Sequence, residues 1–204
     1  MLKQQLVERH VLEVLRWATK ALDQNLLNGV GKSALDVGCA YGYLYSVLSK
    51  LGYETFGTDI STWGIKQAKR QSGGEFLVCD AQTPLPFRAG TFDLVTCFDV
   101  LEHLQYPAKA LLGMFDVCKG WLVFTTPNRT VEKPVRKLIR DYDETHISSK
   151  SPSDWREFVS GCFNSEDLQV ATFHDFAVQF RGKLFFKSFN IPTYGLTVRI
   201  AVRK

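Results

Sequence analysis

The clearest indication of the fold is the segment Leu35-Asp36-Val37-Gly38-Cys39-Ala40-Tyr41-Gly42. An apolar, strand-like run over 34–37 leads into the glycine-containing turn, and a helical pattern over 42–50 follows it. Glycine at such a strand-to-helix turn lets backbone N–H groups approach a ligand closely, and the helix dipole adds partial positive charge there. The turn is therefore a candidate ligand-binding site.

Two common nucleotide-phosphate motifs do not fit this turn. The dinucleotide fingerprint Gly-x-Gly-x-x-Gly needs glycines at three positions that are occupied by Gly38, Ala40 and Tyr43. A phosphate loop built on Gly31-Lys32-Ser33 needs its first glycine where Leu26 stands, and that segment precedes the strand instead of following it. Both phosphate-binding motifs fail on spacing.

Short apolar runs alternate with helical segments through the first part of the chain. Five strand-like runs separated by crossover helices indicate a parallel, doubly wound α/β sheet. The predicted strands are 34–37, 54–58, 75–79, 92–98 and 121–125, and the predicted helices between them are 42–50, 62–70 and 107–118. Ahead of these, apolar residues at helical spacing predict an amphipathic helix that ends near Asn28-Gly29.

The alternation breaks after Pro127. Residues 128–150 are polar and charged, and Ser151-Pro152-Ser153-Asp154 is typical of a capped helix start, which predicts a helix over 152–161. Runs 168–173 and 196–202 alternate as the strands of a hairpin do. The expected fold is α/β, with a doubly wound, mostly parallel seven-stranded sheet, an antiparallel final hairpin and an N-terminal helix.

The composition is that of an ordinary folded protein, with 45% hydrophobic and 23% charged residues among 204. Disordered, collagen-like and disulfide-scaffold classes are excluded. No apolar run approaches the ~18 residues of a membrane span, and the charged N-terminus does not have the form of a secretory signal. Five cysteines without a Cys-x-x-Cys pair predict reduced thiols and no zinc site. We expect a cytoplasmic protein without a bound metal.

The net charge of +4 is unevenly distributed. Residues 1–120 carry 12 Lys and Arg against 12 Asp and Glu, whereas residues 121–204 carry 13 against 9. Within the second part, residues 176–204 hold basic residues interleaved with aromatic ones and no acidic residue. Such a segment can pack on the sheet as core or lid, line an anionic or apolar substrate site, or bind nucleic acid or a membrane surface.

The turn resembles the first motif of class I S-adenosylmethionine-dependent methyltransferases, strand–(Asp/Glu)-x-Gly-x-Gly-x-Gly–helix. Ala40 replaces the middle glycine of that motif. The resemblance covers roughly residues 30–175 and implies a Rossmann-like methyltransferase fold that binds S-adenosyl-L-methionine. The turn residues that it places at this cofactor are Asp36, Gly38, Cys39, Ala40 and Gly42.

Further landmarks lie at the ends of the next three strands. Asp59, followed by Ile60, ends the second strand, where a carboxylate can accept hydrogen bonds from both ribose hydroxyls. The resemblance implies that Asp80 accepts from the adenine amine and that the backbone N–H of Ala81 meets the ring. It also implies that Phe98, on the fourth strand, lies against the cofactor. The ends of parallel strands share one edge of a sheet, so we expect these residues to converge.

The resemblance divides the expected single domain, residues 1–204, into three parts. These are an N-terminal helix (1–29), a cofactor-binding half (30–127) and a presumed substrate half (128–204). The excess positive charge falls in the substrate half. We interpret it as a local property of the site for an anionic or aromatic acceptor.

Two histidines are candidate catalytic residues, because methyl transfer to a hydroxyl or a protonated amine needs a base. His103 lies in Leu101-Glu102-His103-Leu104 after the fourth strand, and His146 lies in the insert after the fifth. His146 is predicted to be the general base or to position the substrate. His103 either shares that role or packs beside the cofactor. His10 and His174 have no motif context.

Two motifs of nucleic-acid methyltransferases are absent from this sequence, and their absence bears on the class of methyl acceptor. Amino-methylating nucleic-acid enzymes carry Asp/Asn-Pro-Pro-Tyr after the fourth strand, and this chain reads Phe98-Asp99-Val100-Leu101 there. No cysteine adjoins a proline, as cytosine C5 chemistry would require. These features favour a small-molecule O- or N-methyltransferase similar to the ubiquinone-type enzymes. The alternatives are a nucleic-acid methyltransferase that uses the basic aromatic end, and an inactive methyltransferase-like binding or regulatory protein.

Overall fold

The computed structural model describes residues 2–139, 144–163, 167–180 and 183–204. The helices are α1 (Leu2–Leu22), α2 (Tyr43–Lys50), α3 (Thr62–Ser72), α4 (Pro107–Val117), α5 (Arg129–Ile139) and α6 (Pro152–Cys162), with a 3₁₀ turn at Leu101–His103. The strands are β1 (Ser33–Val37), β2 (Glu54–Asp59), β3 (Glu75–Val78), β4 (Phe92–Phe98), β5 (Cys118–Pro127), β6 (Leu168–Phe180), β7 (Lys183–Asn190) and β8 (Thr197–Arg203). Within these ranges no helix has both the length and the apolar composition needed to cross a bilayer.

The strands form one sheet in the order β3-β2-β1-β4-β5-β8-β6-β7. The first five strands in that order run parallel, and β8, β6 and β7 each run antiparallel to their neighbours. The chain starts in the middle at β1, builds outward through β2 and β3, and then returns to place β4 on the other side of β1. This change of direction creates the switch point at which α/β sheets bind ligands.

Helices cover both faces of the sheet and close two apolar cores. On one face α1 and α2 pack against the strands through fully or almost fully buried residues such as Val14 and Leu48. On the other face α4 and α6 supply Leu111 and Trp155, which are fully buried. The indole N–H of Trp155 donates to Thr126 Oγ1 at 3.1 Å, so its polar atom is satisfied inside the core.

The α/β fold and the order of its elements through β5 are confirmed. The predicted helix start at Ser151 is also confirmed, since its Oγ accepts from Asp154 N at 3.1 Å and its own N–H donates to the Asp154 carboxylate at 3.3 Å. The two final strands predicted as a hairpin are antiparallel neighbours, with Leu168 opposite Val202.

The sheet has eight strands instead of the seven predicted, because the residues between β6 and β8 in the chain form a further strand, β7. β6 continues to Phe180 and pairs with β7, which begins at Lys183. The helix α5 is a second addition, in the polar and charged segment 128–150, for which the sequence predicts no helix. It contains Pro134, a residue that disfavours helix interiors and hides the helical pattern. Residues 140–143 of that segment and 181–182 of the basic end lie outside the described residues.

The packing of α4 gives a direct test of the core. Leu111 is fully buried, whereas its neighbour Leu112 is 50% exposed. We expect Leu111→Ala to lower the free energy of unfolding by about 2–5 kcal/mol, because it removes apolar contacts and leaves a cavity. Leu112→Ala is the matched control and should change it by less than about 0.5 kcal/mol. Urea unfolding followed by circular dichroism measures both, and equal effects would contradict this packing.

Candidate active site

Two cavities lie at the C-terminal ends of the central strands and meet at Gly38 and Asp99. The strand-side cavity has a volume of about 340 Å³ and is lined by residues that follow β2, β3 and β4. The helix-side cavity has a volume of about 400 Å³ and lies between α1 and the turn after β1. Together they occupy the switch point of the sheet.

The turn after β1 is held by the end of β2. The amides of Gly38 and Cys39 both donate to the Thr58 carbonyl, at 2.7 and 2.9 Å, and the amide of Ala40 donates to Asp59 Oδ2 at 2.8 Å. Ala40 has a φ of 45°, in the left-handed region where a side chain costs roughly 1–2 kcal/mol. Ala40 thus adopts the left-handed conformation at the position where the motif has a glycine.

Asp59 is both a support of this turn and a candidate ligand for a diol. Its second oxygen, Oδ1, accepts from Ser61 N at 2.8 Å. An ionised carboxylate offers about four acceptor positions, so two remain after the bonds to Ala40 and Ser61. Asp59 lines the strand-side cavity with the exposed Ile60. Two free acceptor positions are what a pair of ribose hydroxyl donors requires.

Asp80 and Ala81 follow β3 and line the same cavity. Asp80 Oδ1 accepts from Gln82 N at 2.9 Å, and the hydrogen bonds within the described residues leave Oδ2 available. A carboxylate oxygen and a neighbouring backbone amide can recognise an amino-substituted ring. The structure thus brings Asp59, Ile60, Asp80 and Ala81 together, as the sequence predicts.

Asp36 is buried beneath the helix-side cavity and is 1% exposed. Burial raises its pKa to about 7, and the negative charge of Asp59 adds to this, against hydrogen bonds from Tyr45 N at 3.1 Å and Thr96 Oγ1 at 3.4 Å. A cation bound beside Asp36 would lower this pKa and so favour the ionised carboxylate.

Phe98 ends β4, and Asp99 follows it at the boundary between the two cavities. Phe98 lines the helix-side cavity together with Cys39 and Ala40. Gly42 lines neither cavity and caps α2 in the left-handed conformation.

Sequence reasoning missed Asp99, which lines both cavities. It has a φ of 54° and accepts a hydrogen bond from Thr125 Oγ1 at 2.9 Å. Its place directly after a strand is a signal that could have indicated a site residue.

The two predicted catalytic histidines are neighbours in the structure. The centroids of the His103 and His146 rings are 4.7 Å apart and the rings are nearly perpendicular. His103 lines the strand-side cavity, and its Nδ1 is 3.2 Å from the Thr145 carbonyl. His146 contacts the Glu132 carboxylate through Nδ1 and lines neither cavity.

Glu102 adds a buried carboxyl to this histidine pair. Burial, with the charge of Asp99, raises its pKa to about 8, and its Oε2 has no hydrogen-bond partner among the described residues. The donor atoms of Glu102, His103 and His146 lie within 4.8 Å of one another. Within the described part of the chain, these three side chains are close enough together to bind one metal ion.

The basic aromatic end has two faces. Phe186, on the inner face of β7, lines the helix-side cavity. On the outer face of the β6–β7 ribbon, phenylalanines and lysines stand side by side in solvent. These outer residues include Phe176, Phe180, Lys183, Phe185, Lys187 and Phe189.

The sequence of the chain matches a known protein family. Residues 8–161 match the model of a family described as methyltransferase domain. An enzyme named ubiquinone biosynthesis O-methyltransferase from Burkholderia multivorans is 29% identical over 167 residues, which cover 76% of this chain and 72% of that enzyme. The enzyme of the same name from Paraburkholderia xenovorans is 30% identical over 136 residues, 63% of this chain and 59% of that enzyme.

Solved structures share the fold at lower identity. An S-adenosylmethionine-dependent methyltransferase from Archaeoglobus fulgidus has a TM-score of 0.73 at 18% identity and covers 98% of this chain and 94% of its own. Magnesium protoporphyrin IX methyltransferase from Synechocystis PCC 6803, solved with bound S-adenosylhomocysteine, has a TM-score of 0.66 at 18% identity, with 98% and 84% covered.

The chain belongs to the methyltransferase domain family. It is an S-adenosylmethionine-dependent methyltransferase with a class I fold. The polar groups that line the two cavities also fit the functional groups of this cofactor. The strand-side cavity offers carboxylates at Asp59 and Asp80 for hydroxyl and amino groups, and the helix-side cavity offers the Asp36 carboxyl for an ammonium group.

Asp59 gives the first test of this site. We expect Asp59→Asn to weaken the binding of S-adenosylhomocysteine about 10- to 100-fold, because one charge-assisted hydrogen bond to a hydroxyl is worth roughly 1.5–3 kcal/mol. Glu54→Gln, at the exposed start of the same strand, is the matched control and should bind as the wild type does. Isothermal calorimetry measures both affinities. Unchanged affinity in Asp59→Asn would remove this residue from the cofactor site.

Asp36 gives a test through pH. Its pKa of about 7 in the folded protein lies above the value of 3.8 of the unfolded chain, so between these values the folded state keeps a proton that the unfolded state has lost. The Asp36 contribution to stability therefore falls as pH rises through this window. We expect Asp36→Asn to gain about 2–3 kcal/mol relative to the wild type between pH 5 and pH 8, without cofactor. Urea unfolding at both pH values measures this, and parallel pH profiles would contradict it.

Proposed function

We propose that the protein transfers the methyl group of S-adenosylmethionine to a hydroxyl oxygen of a small aromatic molecule held in the helix-side cavity. The observation that carries this proposal is the cavity's wall. Beside Asp36 and the turn after β1, the wall is apolar and aromatic, and it is closed by α1 and by one side chain of β7. Its apolar members are Leu6, Val7, Val11, Leu44, Phe98 and Phe186.

The size of this cavity favours a small acceptor. A volume of about 400 Å³ lies within the usual range for small-molecule sites. A polymer would need an open groove lined by basic side chains, whereas Lys183 and Lys187 lie on the outer face of β7, away from Phe186. The relatives named as O-methyltransferases support an oxygen acceptor over a nitrogen one.

The chain's residues have three tasks in this reaction. When bound, the cofactor supplies a methyl group that is already activated on a sulfonium. Asp59 and Asp80 would hold its adenosyl end, and Asp36 its ammonium group. Phe98 and Phe186 would align the acceptor ring and exclude water, and such alignment can contribute roughly 7–11 kcal/mol to the lowering of the barrier.

We assign His103 and His146 a place beside the adenosyl end. The loop that carries His146 is tied to the 3₁₀ turn, since Ser148 N donates to the Glu102 carbonyl at 2.8 Å and Ser148 Oγ donates to the Leu104 carbonyl at 2.6 Å. The two histidines would hold this loop over the strand-side cavity. The prediction from the sequence that His146 is the general base or positions the substrate would be contradicted by unchanged turnover in His146→Gln.

A pair of neighbouring phenylalanines tests the proposed acceptor site. Phe186 lines the helix-side cavity, and Phe185 is 57% exposed on the opposite face of β7. With catechol as acceptor, we expect Phe186→Ala to raise the KM for catechol about 10- to 100-fold, because burial of a phenyl group is worth roughly 1.5–3 kcal/mol. Phe185→Ala should leave it unchanged. Transfer of radiolabelled methyl groups to catechol measures both.

The same two variants distinguish a nucleic-acid acceptor. In that case total RNA would be labelled in place of catechol, Phe185→Ala would lower RNA methylation, and RNA affinity would fall steeply with salt. That pattern, or the absence of catechol methylation with the wild type, would contradict the proposed function.

A further inference from the structure

His10 lies near the middle of α1 on the side that faces the sheet. Its ring lines the helix-side cavity together with Gly38, Phe98 and Asp99. It meets the Phe98 ring edge-on, with the two ring centroids 6.0 Å apart. A molecule in the cavity would therefore contact this imidazole.

One ring nitrogen of His10 is fixed by a carboxylate. Nδ1 lies 2.6 Å from Asp175 Oδ2, and since a carboxylate only accepts, Nδ1 carries the proton and the lone pair of the neutral ring lies on Nε2. Nε2 is buried and has no hydrogen bond to any residue that the structure describes. A buried nitrogen without a partner costs roughly 1–3 kcal/mol, so this nitrogen indicates a ligand.

Asp175 is itself held rigidly from two further strands. Its Oδ1 accepts from Ser188 Oγ at 2.5 Å and from Arg199 Nη2 at 2.8 Å. Burial alone would raise the Asp175 pKa, but the hydrogen bonds from His10 and Ser188 and the charge of Arg199 outweigh it and lower the pKa to about 2. Asp175 is thus an ionised carboxylate at physiological pH.

Arg199 balances that charge inside the protein. It is 1% exposed, donates to the Glu13 carbonyl at 3.2 Å, and lies over the Phe173 ring with its guanidinium carbon 3.9 Å from the centroid. With the His10 ring neutral, the cluster of His10, Asp175 and Arg199 carries no net charge. Because His10 Nδ1 lies 2.6 Å from Asp175 Oδ2, the carboxylate attracts any positive charge that develops on the ring.

We propose that His10 is the general base of methyl transfer and that Asp175 is its positioning residue. The proposal rests on the proposed function, because it needs a hydroxyl acceptor in the helix-side cavity. The acceptor oxygen forms its new bond to the methyl carbon with a lone pair, the carbon–sulfur bond breaks with its electron pair left on sulfur, and the O–H proton passes to His10 Nε2. The imidazolium then releases that proton to water.

Kinetics give the first test. With catechol as acceptor, we expect His10→Ala to lower kcat at least about 100-fold, because general-base catalysis contributes typically 10²–10⁴-fold. Added imidazole should restore part of the rate by entering the vacated space. Asp175 keeps Ser188 and Arg199 in this variant, so the fold and the affinity for S-adenosylhomocysteine should be retained. His174→Ala, one residue from Asp175 on β6, is the matched control and should keep the wild-type rate.

Spectroscopy of a bound probe tests the proton transfer without turnover. 4-Nitrocatechol changes its absorption spectrum when it loses a proton, and it can be bound to the S-adenosylhomocysteine complex at a pH where the free probe is protonated. We expect the wild-type complex to show the ionised spectrum and the His10→Ala complex to show the protonated one. His174→Ala should give the wild-type spectrum.

The outcomes separate this proposal from the proposed function. If the probe binds and is ionised equally in the wild type and in His10→Ala, another group takes the proton and the His10 proposal is wrong, while the acceptor site stands. If the wild type does not bind the probe, the aromatic acceptor site is wrong and the His10 proposal falls with it. A loss of kcat that imidazole does not restore, with a lowered free energy of unfolding, would reduce the His10–Asp175 pair to an anchor of α1.

Discussion

Three consecutive amides at the end of β1 depend on the end of β2 for their hydrogen bonds. Gly38 and Cys39 share the Thr58 carbonyl, and Ala40 takes an oxygen of Asp59. These bonds exist only because β1 and β2 are parallel and end at the same level, with Val37 opposite Thr58. Cys39 is buried, so loss of the hydrogen bond to its amide would be costly, and this bond ties the turn to β2. The shape of both cavities follows from that constraint.

The part of the site built by parallel strands could be predicted from the sequence. Asp59, Asp80 and Phe98 each end a strand or follow one directly, and parallel strands deliver their ends to one edge, so local pattern was enough to bring them together. The helix-side cavity could not be predicted in this way. His10 and Asp175 are 165 residues apart, and their contact depends on where β6 enters the sheet, which no local pattern encodes.

The antiparallel end of the sheet explains why residues near both ends of the chain meet at the proposed acceptor site. β8 pairs with β5 and β6 pairs with β8, so β6 and its partner β7 extend the sheet beneath α1. α1 also contacts β6, β7 and β8, and its residues line the helix-side cavity. If that cavity holds the acceptor as proposed, the predicted substrate half would have to include the N-terminal helix. The same ribbon explains the aromatic segment, since only its inner residues, such as Phe186, reach the cavity.

The carboxyls around the helix-side cavity differ in a way that fits their proposed tasks. Burial without a cation raises the Asp36 pKa to about 7, whereas the donors around Asp175 lower its pKa to about 2. Environments that separate two carboxyls in this way usually mark different roles in acid–base chemistry. In the proposed roles, Asp36 would gain its charge when the cationic group of the cofactor binds. Asp175 is ionised at physiological pH, so it would orient His10 before either substrate arrives and would need no rearrangement during the reaction.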